Sequence, residues 1–229
     1  MANLLHPGGF FTLTELEDAH AAVFKKTPSR MLRRNLLRFR KILKGIRKDS
    51  VKEEDLVKAL ATVLGLARRL GISIAACYPK FYFKVCRYCA VAPCWCTKNI
   101  DKPKRGLAPL DLFSLRADIS FVEIQKSDWQ VYPNQKSGKD KCKRGLHLAE
   151  EVLELLDALE ESKPQRDKIE EEIADLFERI ISLASSLDLW NFPKGVAQFY
   201  NRLQEGRNFY IFFPKTLYSK RSVPPSVFS

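Results

Sequence analysis

The sequence predicts an all-α protein built as an antiparallel helical bundle, and three observations predict it. Apolar residues recur at helical spacing along much of the 229-residue chain. Helix start and stop signals, such as Thr12, Ser50, Gly71 and Pro193, punctuate that pattern. Two acidic clusters, each inside an apolar helical pattern, are separated only by a short polar stretch around Ser162, Lys163 and Pro164. Two antiparallel helices joined by a tight turn have this form.

Each element follows in order. Residues 12–26 read as a first helix, with Thr12 or Thr14 as N-cap. Residues 29–48, rich in Leu and Arg, read as a second. Ser50 followed by Glu53 fits a capping box that opens a third helix, running to about Leu70 and stopped by Gly71. A cysteine-rich segment spans residues 77–98, and a basic linker with two prolines covers 99–110. A helix near 111–127 precedes a loop at 133–142, and the two acidic helices follow. Pro193 starts a short helix to about Gln204. The chain therefore divides into a helical half at 1–76, a cysteine-rich insert and linker at 77–110, a second helical half at 111–207 and an aromatic tail at 208–229.

The acidic clusters are His147-Leu148-Ala149-Glu150-Glu151-Val152-Leu153-Glu154 and Glu171-Glu172-Ile173-Ala174-Asp175. At about 100° per residue, His147, Glu150, Glu151 and Glu154 share one arc, and Glu172 and Asp175 share a face of the next helix. Like carboxylates repel, so gathering them is costly unless a cation holds them. Oxygen-only ligands on a rigid helix pair suit Mg²⁺, with substrate phosphates completing its shell. Taken alone, the first cluster fits a solvated helix face equally well, with Leu148, Val152, Leu153, Leu155, Leu156 and Leu159 covering the remaining arc. The second decides against that reading. Ile173, Leu176, Phe177, Ile180, Ile181, Leu183 and Ala184 make its helix apolar over most of its circumference. Asp175 is thereby brought close to buried surface, where an unpaired carboxylate is expensive.

Glu-Glu-x-x-Glu, a gap and Glu-x-x-Asp, here Glu150, Glu151, Glu154, Glu172 and Asp175, resemble the signature of the MazG-like all-α nucleoside triphosphate pyrophosphohydrolases. That superfamily includes dimeric dUTPases and dCTP pyrophosphatases. The resemblance covers roughly residues 120–192 and extends to the following Leu183-Ala184-Ser185-Ser186-Leu187-Asp188-Leu189. It implies Mg²⁺-dependent hydrolysis of a nucleoside triphosphate to the monophosphate and pyrophosphate. Glu151, Glu154, Glu172 and Asp175 would bind the metal, and Glu150 would be a further ligand or position the attacking water. It also implies self-association into a dimer or tetramer, because such proteins assemble sites from several helix pairs.

The two halves can be laid on each other, Arg34–Leu43 on Glu150–Leu159 and Asp55–Lys58 on Glu172–Asp175. The amino-terminal half then resembles a second, degenerate helix pair, in which Arg34, Asn35, Arg38 and Lys58 stand at acidic positions. Such a half cannot hold Mg²⁺ in the same way. It either supplies cations to a triphosphate, with Arg34 and Arg38 the candidates, or completes the bundle.

The net charge of +12 is uneven: residues 1–107 hold 22 Lys and Arg against 8 Asp and Glu, whereas 108–229 hold 17 against 19. A basic half suits phosphorylated substrates, an acidic partner, nucleic acid or a solubilising surface. Lys139, Lys141, Lys143 and Arg144 lie just before the acidic helix, where they either neutralise phosphate at its positive dipole end or form a solvated loop. His147 is read first as a surface residue and second as a phosphate or water contact. Trp129 and Tyr132 are read as packing rather than base-stacking groups.

Cys86-x-x-Cys89 and Cys94-x-Cys96 offer four thiolates, the set a structural Zn²⁺ takes. Reduced thiols and a redox dithiol are the other readings, and some MazG-like proteins carry a similar segment. No apolar run approaches a bilayer span, and residues 1–11 lack the pattern of a signal peptide, so the cytoplasm is the expected location and no membrane partner is expected. The competing function is a non-enzymatic, zinc-containing module that binds nucleic acid or protein through the basic half. The acidic cluster argues against it, since a binder of polyanions gains nothing from grouped carboxylates.

Overall fold

The computed structural model describes residues 3–24, 39, 42, 44–45, 50–82, 86, 92–93, 119–132 and 138–205, with side chains from Arg144 onward in the last stretch. Among them are seven helices: α1 (Leu13–Val23), α2 (Glu53–Arg69), α3 (Ile74–Phe81), α4 (Phe121–Val131), α5 (Gly138–Glu160), α6 (Arg166–Ser186) and α7 (Phe192–Gln204). No strand occurs among the described residues, so the all-α expectation holds there; a single β-bridge joins Thr12 and Ser120.

The helix α6 is the central element, packed against α2, α3, α4 and α5. Its 21 residues contain no glycine or proline, and Ile173, Phe177, Ile180, Ile181, Leu183 and Ala184 are wholly excluded from solvent. Phe177 meets the rings of Tyr78 and Phe121 edge-on, at centroid distances of 5.2 and 6.0 Å. Burial of such a ring stabilises strongly, and its truncation to Ala costs about 3–5 kcal/mol.

The helices α5 and α6 run antiparallel. Lys168 near the start of α6 pairs with Glu161 at 2.6 Å, and Arg179, three turns on, pairs with Glu151 at 3.0 Å. As one helix advances the partner recedes, which is the signature of a hairpin. Leu148, Val152, Leu155 and Ala158 form the buried side of α5, whereas Leu153 is exposed. The apolar arc is thus narrower than the leucine count suggests.

Two capping boxes pair α1 with α4. Thr12 and Glu15 cap α1 reciprocally, and Ser120 and Glu123 do the same for α4. The two entry segments then exchange backbone hydrogen bonds, Leu13 N–H to the Ile119 carbonyl at 3.2 Å and Phe121 N–H to the Phe11 carbonyl at 2.8 Å. Residues Phe39 and Ile42 are helical and buried in the same core. At the end of α2, Gly71 has φ of +66°, a conformation that suits a residue without Cβ.

Several element boundaries differ from the sequence expectation. Ser50 does not cap α2; its N–H is bonded to the Gly45 carbonyl at 2.8 Å, and Lys52 is the cap position, without a side-chain cap bond. Of the helix expected at 111–127, residues 111–118 lie outside the described residues; beyond them the helix Phe121–Val131 is opened by the Ser120–Glu123 box and ends four residues later than expected. The helix α3 was unforeseen, since Pro79 lies inside it and Cys77 reads as part of an insert. Ser73 caps it, and Glu17 accepts hydrogen bonds from the Ser73 hydroxyl at 2.8 Å and the Ile74 N–H at 2.5 Å. Much of the expected loop at 133–142 is helical, since α5 begins at Gly138.

Candidate metal centre

The α5–α6 hairpin brings the two acidic clusters together. One carboxylate oxygen each from Glu151, Glu154 and Glu172 lies within 4.8 Å of the others. Glu151 and Glu172 are buried, at 6% and 2% exposure, while Glu154 opens to solvent. Glu151 Oε2 and Glu172 Oε2 are buried without a hydrogen-bond partner. Three carboxylates this close, two of them out of water, cannot all stay charged at low cost. Burial, then the charge of Asp175, pushes the Glu151 carboxyl up to about 7, and the same two causes push Glu172 up to about 8.

This donor set fits a divalent cation. The ligands are all oxygen, the hard donors that Mg²⁺, Ca²⁺ and Mn²⁺ take, and two buried oxygens lack any other partner. Asp175 stands beside the group rather than in it. Its Oδ1 accepts the Tyr82 hydroxyl at 2.5 Å, and it is 2% exposed. Glu150 also falls outside the three, exposed and bonded to His147 Nδ1 at 2.8 Å. His147 thus sits at the helix surface beside Glu150.

Sequence reasoning missed Arg179. One turn beyond Asp175, it donates from Nε to Glu151 Oε1 at 3.0 Å. Burial works against its charge, but Tyr82, Glu151 and Asp175 hold the guanidinium protonated, above its ordinary range. The clue was present: an arginine inside the apolar run Leu176–Ile181 needs a buried acid nearby.

A second buried polar group was also missed. Glu178 and Asp128, on α6 and α4, are each 3% exposed, and Tyr78 donates to Glu178 Oε2 at 2.5 Å. Burial, then the neighbouring Asp128, holds the Glu178 carboxyl well above the carboxylate range. Asp128 is raised by burial and pulled back by Arg144; Ser182, Ser185 and Glu178 lie near its oxygens without reaching hydrogen-bond geometry. Arg144 is half-buried, with its Nε shielded from solvent and without a hydrogen-bond partner. It belongs to α5 itself and not to a loop before it. The helix start at Gly138 is about 18 Å from Glu150, so the dipole does not place Arg144 or its lysine neighbours at the acidic cluster.

Trp129 packs edge-on against Trp190 at 4.6 Å, in keeping with a packing role. Cys77 lies buried in α3, its thiol pushed up to about 12 chiefly by burial. Of the four expected zinc ligands, Cys86 is fully buried and Cys89, Cys94 and Cys96 lie outside the described residues. Arg34, Arg38, the Lys143 side chain and the aromatic tail also lie outside them. Among the described residues no single helix is long and apolar enough to cross a membrane.

No curated protein and no solved structure matches the chain. The family model of the MazG nucleotide pyrophosphohydrolase domain matches residues 143–205, so the segment that carries the carboxylates is MazG-like.

Proposed function

We propose that the protein is a Mg²⁺-dependent nucleoside triphosphate pyrophosphohydrolase, releasing the nucleoside monophosphate and pyrophosphate. The observation that carries this is the convergence of Glu151, Glu154 and Glu172 within 4.8 Å, inside the MazG-like segment. Glu151, Glu154 and Glu172 would hold the ion, and Asp175, oriented by Tyr82, would join them. When bound, Mg²⁺ would polarise a phosphate oxygen and acidify water. The chain's own part is geometric and electrostatic. The buried faces of Glu151 and Glu172 exclude competing water, and the exposed Glu154 gives the attacking water access. Attack at the α-phosphorus breaks its bond to the bridging oxygen, so pyrophosphate leaves with that oxygen. Lys143, Arg144, His147, Arg34 and Arg38 are the sequence candidates for substrate binding. Arg144 is better read as a partner of Asp128, while the others remain proposed substrate contacts.

The amino-terminal half is read here as a related, degenerate helix pair, with Arg34, Asn35, Arg38 and Lys58 at the acidic positions. A homo-oligomer in the cytoplasm, with a structural Zn²⁺ on Cys86, Cys89, Cys94 and Cys96, completes the proposal. A panel of ribo- and deoxyribonucleoside triphosphates, incubated with and without Mg²⁺, tests it. Equal amounts of monophosphate and pyrophosphate, formed only with metal, are expected. Release of orthophosphate, or no turnover of any nucleotide, would refute it.

A further inference from the structure

The carboxylate group holds a cation of its own. Arg179 is largely buried, with 21% of its side chain exposed, and its Nε bonds Glu151 Oε1 at 3.0 Å. Glu151 is also one of the three residues whose oxygens converge, and its Oε2 has no partner. One carboxylate thus serves both the guanidinium and the converging group. A divalent ion on that carboxylate brings two positive centres within its width, where burial keeps screening weak.

We propose that Arg179 is the resident counter-cation of the centre and competes with the divalent ion for Glu151, so that metal loading releases the guanidinium to the substrate phosphate. This rests on the metal reading above and adds an order of events to it. Without metal, the guanidinium offsets part of the repulsion among Glu151, Glu154, Glu172 and Asp175. With metal, that role passes to the ion, and the guanidinium is left next to the phosphate that the ion binds. A planar fork of N–H donors suits phosphate as well as carboxylate, which makes the exchange chemically even.

The proposal makes two properties move in opposite directions. In an Arg179→Met variant of the full chain, Mn²⁺ titrated alone should bind about tenfold more tightly than in wild type, since one charged hydrogen bond no longer has to be broken. The Michaelis constant for nucleoside triphosphate should rise in the same variant. A merely structural arginine would weaken both when removed. Arg179→Lys should show a smaller gain in Mn²⁺ affinity, because an ammonium is a poorer match for the carboxylate, and it serves if the methionine variant does not fold. Wild type that binds Mn²⁺ while the folded variant binds it equally or more weakly would overturn the competition. Absence of Mn²⁺ binding in wild type and variants alike would instead sink the metal reading, and this proposal with it.

Discussion

The Tyr82 hydroxyl donates to Asp175 Oδ1 at 2.5 Å across 93 positions of sequence. Through it, the residue that ends α3 holds a carboxylate of the central helix α6. Tyr82→Phe removes only that donor. The expected loss of stability is about 1–3 kcal/mol, the range for leaving a buried hydrogen-bonding group without its partner. Pyrophosphate release should fall about tenfold if Asp175 loses its orientation. Thermal unfolding and steady-state kinetics on the same preparation check both; unchanged turnover would mean that Asp175 needs no such support.

The centre should titrate near neutrality in the metal-free protein. Glu151 and Glu172 have carboxyls raised from 4.5 to about 7 and about 8. A raised carboxyl contributes stability that is fully present below about 4.5 and is lost as pH rises through its folded-state value. Metal must displace those protons, so its affinity should climb across the same interval. Unfolding followed at pH 5.5 and pH 8.5, with and without Mg²⁺, should show metal stabilisation growing with pH. Equal stabilisation at both values would contradict the assignment.

His20 should act in the opposite direction, on the acid side. Its Nδ1 meets the Tyr200 hydroxyl at 2.9 Å while Nε2 is buried without a partner. Burial, and then the charge of Arg68, lowers its value from 6.5 to about 3. The unfolded chain takes up a proton below 6.5 that the folded chain refuses, so stability drains away from 6.5 toward 3. His20→Phe should be less stable than wild type at pH 7, and that deficit should shrink at pH 4. A constant deficit would show that His20 does not titrate this way.

Much of this was legible in the sequence, and the exceptions have physical causes. The hairpin was readable because apolar spacing and the break near Pro164 are local signals. The convergence of Glu151, Glu154 and Glu172 followed from helical geometry plus one turn. Arg179, Tyr82 and Asp128 were not found, because their roles depend on which helices pack together, and single-helix periodicity does not contain that. Glu150, read as a further ligand or as the group that positions water, lies apart from the three converging residues for a related reason. Adjacent residues on a helix diverge by about 100°, so Glu150 and Glu151 cannot both face α6, and the exposed one pairs with His147.

The four-cysteine spacing predicts about one zinc per chain. Metal analysis of reduced, purified protein should find it, and Cys89→Ser should lose it while keeping the helical far-ultraviolet signal. Protein holding neither zinc nor iron would exclude the site.

Pyrophosphate release by wild type and by Glu154→Gln, measured with Mg²⁺ and a mixed nucleoside triphosphate pool, tests the central claim most directly. Glu154 is exposed, so the amide leaves the buried packing of α5 intact while removing one charge from the converging group. Wild type should release pyrophosphate and the variant should lose nearly all of that activity with its melting temperature unchanged. Pyrophosphate release by the variant at the wild-type rate would contradict the account.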